Sequence, residues 1–221
     1  SNYKEVFQLI PLKSYLVNSV IVTVTATAVQ CAISSSAAYA FARLKFRGNH
    51  GFLLMILSGM MIPVQATVVP LYILFSKIGL VNTRISIILP LLISPLGIFI
   101  IKQYMQSIPK SYDEAAIIDG ASQFQVFTKV ILPMAKPSVV VVAMLTFVTS
   151  WNDFFRPLIF ITSSEKMTLP IGMTVLNSLS RQSSISVILA GVVISSLPLI
   201  LVFLKGQKYL IQGISMSGVK G

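Results

Sequence analysis

Five stretches of this chain, residues 16–41, 52–69, 85–104, 138–159 and 185–204, are apolar over about the length a helix needs to cross a bilayer. That pattern decides the fold class before any motif is considered. Only 10% of the 221 residues are charged and the mean hydropathy is +0.85, whereas a soluble domain carries about 25% charged residues to wet its surface. The chain therefore reads as an all-α, polytopic membrane helix bundle with lipid as its main solvent. Prolines punctuate the runs. Pro63 and Pro70 threaten to end the second early, and Pro90, Pro95 and Gly97 are expected to kink the third.

The net charge is +11, which in a soluble protein would point to nucleic acid. Here Lys and Arg fall between apolar runs, with no basic face and no array of stacking aromatics, so nucleic acid is excluded as a partner. The charges set topology and meet anionic headgroups instead. Cys31 and His50 are single, so neither a disulfide framework nor a Cys/His zinc site can be assembled within the chain. One histidine, set in a basic loop, also argues against a Ser-His-Asp or Cys-His hydrolase.

Alternate connections share a side of the membrane. Arg43, Lys45 and Arg47 follow the first span, Lys102, Lys110, Lys129 and Lys136 surround the loop after the third, and Lys205, Lys208 and Lys220 lie in the tail. Lys4, Lys13, Lys77, Arg84, Lys166 and Arg181 fall on the other side, with Arg156 near the membrane edge. The positive-inside bias places the loop 105–136 and the tail 205–221 in the cytoplasm, within one transmembrane domain covering 1–221. Five spans then leave the N-terminus outside, and the chain starts at Ser1, so a sixth, N-terminal span is expected to be missing from this sequence.

Thr23, Thr27, Gln30 and Ser34 recur at helical spacing and share one face of the first span. Such a face forms either a hydrogen-bonded helix interface or one wall of a solute path. In the last span Pro198 removes a backbone bond to the carbonyl of Ile194, which Ser195 and Ser196 are placed to help satisfy. A local bend is expected there.

The loop 105–136 is the most informative segment. Ser111 followed by Glu114, and Ser122 followed by Gln125, each fit a capping box. Gly120 between them supplies a left-handed stop, and Pro133 limits the second helix. Two short helices joined by a sharp turn are expected, with Ala115 and Ala116 giving the first a low profile. Phe124 and Phe127 are expected to stand together on the second. Such a pair suits docking into the groove of a cytoplasmic partner or lying on headgroups. A DNA-binding helix-turn-helix would need more basic side chains than Lys129.

This loop resembles the signature of ATP-binding-cassette (ABC) importer permeases: Glu-Ala-Ala, three residues, Gly, nine residues, then Ile-x-Leu-Pro. Glu114, Ala115, Ala116, Gly120, Leu132 and Pro133 match, with Val130 in place of the Ile. Trp151-Asn152-Asp153-Phe154-Phe155 followed by Pro157-Leu158-Ile159 resembles the fifth span of carbohydrate-uptake permeases. The ending from Gly213 through Gly218 to Gly221 resembles that of maltose-type permeases. The family usually has six spans in this subunit.

The resemblance implies a type I importer permease of the bacterial inner membrane that moves a sugar or oligosaccharide. It implies as partners a second homologous permease subunit, two cytoplasmic ATPase subunits holding ATP and Mg, and an extracellular solute-binding protein. No cofactor is expected in this chain, which lacks a Walker-type phosphate loop. Glu114, Ala115, Ala116, Asp119, Gly120, Phe124, Phe127, Leu132 and Pro133 become the coupling residues. Trp151, Asn152, Asp153, Thr23, Thr27 and Gln30 are candidates for the substrate path, since amides and aromatic faces suit sugars. Asp153 is equally suited to pair with Arg156 as an anchor at the membrane edge. The competing readings are an ABC permease for another solute, and a secondary transporter or channel working alone, for which Asp153 is the sole intramembrane acid.

Overall fold

The computed structural model describes residues 2–179 and 185–215, with side chains described as far as Tyr209 in the last helix, and among these residues there is no strand. The helices are α1 (Asn2–Leu9), α2 (Leu12–Arg43), α3 (Asn49–Ser58), α4 (Val64–Lys77), α5 (Arg84–Ile88) and α6 (Pro95–Ser107). They continue with α7 (Ser111–Ile118), α8 (Gln123–Met134), α9 (Lys136–Trp151), α10 (Phe155–Phe160), α11 (Leu169–Leu179) and α12 (Ile185–Ser215). Arg181 and the tail residues 216–221, both used in the sequence reading, lie outside the described residues.

Two helices, Leu12–Arg43 and Ile185–Tyr209, are each long and apolar enough to cross a membrane, and five segments are if each bent helix pair acts as one span. α2 shows why. Neither Gly nor Pro occurs in its 32 residues, which extend for about 48 Å against a hydrocarbon core of about 30 Å.

Three expected spans are not single helices. The second breaks at Ile62, which is extended (φ −87°, ψ 116°) before Pro63, the cap residue of α4; a residue preceding proline is driven out of the helical region. Pro70, by contrast, sits inside α4. The third breaks between a 3₁₀ turn at Leu89–Leu91 and Ser94, whose hydroxyl caps α6 by accepting from Gly97 N at 3.0 Å. Gly97 is thus no kink. The fourth, read as 138–159, ends at Trp151 and resumes at Phe155. Pro157 cannot donate to the carbonyl of Asp153, so an unbroken helix would lose that bond.

The chain divides into two compact units, Ser1–Thr27, Pro63–Leu92 and Thr146–Leu204 on one hand, and Ala28–Ile62, Ile93–Leu145 and Lys205–Gly221 on the other. In the first, Tyr15, Trp151, Leu169 and Leu176 belong to one buried apolar core. Gly172 admits the Tyr15 ring against α11, where an added Cβ would clash. In the second, Tyr39, Ile101, Met105, Val126 and Ile131 form the core. There an ideal Cβ on Gly97 would lie 2.6 Å from Gln30 Nε2 and 3.0 Å from a Val142 methyl, so α6 approaches α2 and α9 at that glycine.

α12 keeps Pro198 within one helix. The expected role of its serines is corrected: Ser195 and Ser196 donate to the carbonyls of Gly191 and Val192, both at 2.8 Å, and not to Ile194. The segment from Lys205 to Ser215, read as tail, continues this helix. Its Leu189, Val193, Leu197, Leu201 and Leu204 are exposed, as lipid-facing positions or positions against another membrane helix would be.

Candidate functional site

The loop between α6 and α9 is built from short-range chemistry. α7 ends in a Schellman turn: Gly120 takes φ +84°, Ala121 N donates to Ala116 O at 2.9 Å and Gly120 N donates to Ile117 O at 3.0 Å. Ser122 then opens α8 with a complete capping box. Its hydroxyl accepts from Gln125 N at 3.3 Å, and the Gln125 side chain accepts from Ser122 N at 2.8 Å. The other expected box is absent. α7 begins after Lys110, which has helical angles and no side-chain cap, and Glu114 N already donates to Lys110 O at 3.1 Å. The helix starts one residue before Ser111 can cap it.

α8 is not a plain α-helix. Val126–Ile131 is a π-helix, whose wider turn places Val126 and Ile131, five residues apart, both in the core. This corrects the expected pairing of Phe124 with Phe127. Phe124 is 73% exposed, whereas Phe127 turns inward and meets the Tyr39 ring at 4.9 Å. Pro133 does limit the second helix: it lies in the last α-helical turn, Leu132–Met134, and the helix ends one residue after it. The axis then bends by 75° into α9.

The coupling candidates therefore divide. Glu114, Ala115, Asp119, Gly120, Phe124 and Pro133 are exposed, while Ala116, Phe127 and Leu132 are half-buried, Ala116 and Phe127 against the core of this unit. Ile118, 84% exposed, was missed by the sequence reading and joins Phe124 as an unpartnered apolar side chain. Beside α7 lies a cleft of about 350 Å³ whose lining includes Arg43, Lys45, Lys110, Asp113, Glu114 and Gln123. Such a surface offers exposed apolar anchors beside a charged recess.

The path candidates fall in both units. Thr23 and Gln30 are fully buried on α2 and Thr27 is half-buried. Gln30 Nε2 donates to Ser34 Oγ at 3.1 Å, whereas Thr23 Oγ1 and Thr27 Oγ1 have no hydrogen-bond partner among the described residues. Trp151 is only 3% exposed. It stacks on Phe147 at 5.8 Å and donates from Nε1 to the Ser195 carbonyl at 3.1 Å, a core position in this chain. Asn152 is exposed, its amide donating to Val148 O at 2.9 Å. Asp153 pairs with Arg156 at 3.0 Å and accepts from the Arg156 backbone N–H, so the acid sits at the restart of the helix and not on an unbroken helical face.

Two asparagines escaped notice in the sequence because neither lies in a motif. Asn18 Nδ2 donates to the carbonyls of Glu165 and Met167, while its Oδ1 accepts from Arg84. Asn82, at φ +63°, accepts at Oδ1 from Thr162 N and Ser163 N, and its carbonyl accepts from Lys166 Nζ. Together they fasten the segment between α10 and α11. A left-handed Asn is a legible turn signal; its partners some 80 residues away are not.

Residues 15–216 match the family described as binding-protein-dependent transport system inner membrane component. The chain belongs to this family. The arabinooligosaccharides transport system permease protein of Halalkalibacterium halodurans is 36% identical over 204 residues, covering 92% of this chain and 73% of the relative. The trehalose/maltose transport system permease protein of Thermococcus litoralis is 34% identical over 210 residues, covering 94% of this chain and 76% of the relative. A crystal structure of a bacterial ABC transporter that imports the acidic polysaccharide alginate superposes with a TM-score of 0.82 at 25% identity, covering 95% of this chain and 79% of that one. The capped loop is thus part of an inner-membrane transport component, and the helices read from apolar runs are those of a permease fold.

Proposed function

We propose that this permease is one membrane-spanning half of an ABC importer for a sugar or oligosaccharide. A second homologous permease completes the path, an extracellular binding protein delivers the solute, and two separate ATPase subunits bind ATP and Mg and grip the loop. The observation that carries the reading is α7–Gly120–α8. Its inner face is anchored in a packed core, while Ile118 and Phe124 are left exposed beside a charged cleft. An amphipathic helix with unpartnered anchors is the usual input to helix-in-groove docking. Its match to the signature spacing of importer permeases supports an ATPase as the partner.

On this reading the exposed face of α7 and the start of α8 enter an ATPase groove from the cytoplasm, and the C-terminus shares that side. Movement of the ATPase pair then shifts the loop, and with it the spans that line the path. A saccharide is favoured because the relatives named for arabinooligosaccharides and trehalose/maltose, and the alginate importer, all handle saccharides. Asn152, and the α2 face of Thr23, Thr27 and Gln30, are the path candidates. Trp151 acts as the packing residue behind Asn152. The test is purification of the native complex with identification of its subunits and bound solute. Co-isolation of ATPase subunits and a saccharide is the expected result; a homogeneous preparation of this chain alone, active in transport, would overturn it.

A further inference from the structure

The last two turns of α2 hold both helices of the loop. Tyr39 donates to the side-chain carbonyl of Gln123, the first residue of α8, at 3.1 Å and meets Phe127 at 4.9 Å. One turn on, on the same face, Arg43 Nη2 donates to the Ile108 carbonyl at the entrance to α7 at 2.8 Å and pairs with Asp113 of α7 at 3.5 Å. The pair lies largely buried in the wall of the cleft beside α7, with side-chain exposures of 5% for Arg43 and 15% for Asp113. Burying an ion pair costs desolvation that only good geometry and further hydrogen bonds repay, and a cation suits the C-terminal turn of α2.

The pair is also under-bonded. Arg43 Nε and Asp113 Oδ2 are both buried without a hydrogen bond among the described residues. Both groups therefore have bonding capacity beyond their mutual contact. Within the same unit α2 carries Gln30 against Gly97 of α6, so displacement of the loop has a direct route into packed helices.

We propose that Arg43 is a positioning residue for transport: through Asp113 and Ile108 it makes α2 follow the docking helix, coupling movement of the loop to the spans. The inference rests on the loop being the ATPase-docking element. Arg suits this position because Nη2 alone reaches both the Ile108 carbonyl and the Asp113 carboxylate, while the rest of its planar guanidinium keeps further donors that a lysine ammonium lacks in that geometry.

The experiment uses the complete complex in vesicles, comparing wild type, Arg43→Met, Arg43→Lys, Asp113→Asn and the exchange Arg43→Asp with Asp113→Arg. For each, ATPase retention, basal hydrolysis and solute taken up per ATP hydrolysed are measured. Uptake per ATP hydrolysed should fall by about tenfold in Arg43→Met and Asp113→Asn, in the range of ordinary coupling energies, counted over the ATPase that each variant complex retains. Arg43→Lys should be intermediate, and the exchange should recover part of the loss. Unchanged uptake per ATP in Arg43→Met and Asp113→Asn overturns the proposal. So does loss of the ATPase subunits from both variants, which would make the pair a structural support of the docking surface. A wild-type complex that retains no ATPase would defeat the docking reading itself.

Discussion

Gly120 stands at φ +84° with no atom within 4 Å of where a Cβ would be, so substitution there is resisted by backbone conformation alone. A β-branched side chain in the left-handed region costs about 1–2 kcal/mol or more. Gly120→Val is therefore expected to re-aim α8, weaken ATPase retention in pull-down and lower uptake, while insertion in the membrane is unchanged. Asn tolerates the left-handed region, so Gly120→Asn should fall between valine and wild type; equal behaviour of the two variants would reject the backbone explanation. Trp151→Phe addresses the path. Losing the bond to the Ser195 carbonyl should lower stability by about 1 kcal/mol, read as a lower melting temperature of the solubilised complex, with the saccharide profile unaltered. A changed profile would return Trp151 to the path. The residue-level sequence reading succeeded where chemistry is local, at Gly120, at the Ser122–Gln125 box and at the Asp153–Arg156 pair. It left Trp151 open because an indole beside a helix break suits a core, an interface or a sugar equally well, and its packing shows only through a distant partner on α12.

Among the elements, α8 shows how far local signals reach. Its N-terminus was legible in Ser122 and Gln125, yet the π segment that follows was not, since nothing in Val126–Ile131 marks a wider turn. The segment is dictated by tertiary packing, with Val126 and Ile131 buried in one core. Ser122→Ala should remove one half of the capping box, costing about 1 kcal/mol. It should speed hydrogen exchange at Gln123–Gln125 while leaving the core-facing Val126 and Ile131 protected. Uniform acceleration across α8 would mean that the cap holds the whole helix. The broken spans follow a similar division. Proline positions were visible, but Pro63 stands at a helix break whereas Pro70 and Pro198 stay within helices, a difference that the residue type alone does not carry.

For the whole molecule, the fold class was legible from the apolar runs and the low charge alone, and the family from one twenty-residue signature. The solute was not, because no spacing along a helix encodes which hydroxyls a path will meet. Topology can be checked directly: single cysteines at Asn49 and Ser122 should react only with reagent on the cytoplasmic side, and one at Ser164 only from outside, as the basic loops require. Labelling of Ser122 from outside intact cells would contradict both the topology and ATPase docking. The central claim is that this chain moves solute only when ATP is hydrolysed by subunits held on its loop. Its most direct measurement is saccharide accumulation in vesicles containing the native complex and binding protein, with ATP supplied only on the loop side. The account predicts accumulation that stops when ATP is withheld or the ATPase subunits are stripped away. Equal accumulation by this chain without them would contradict it.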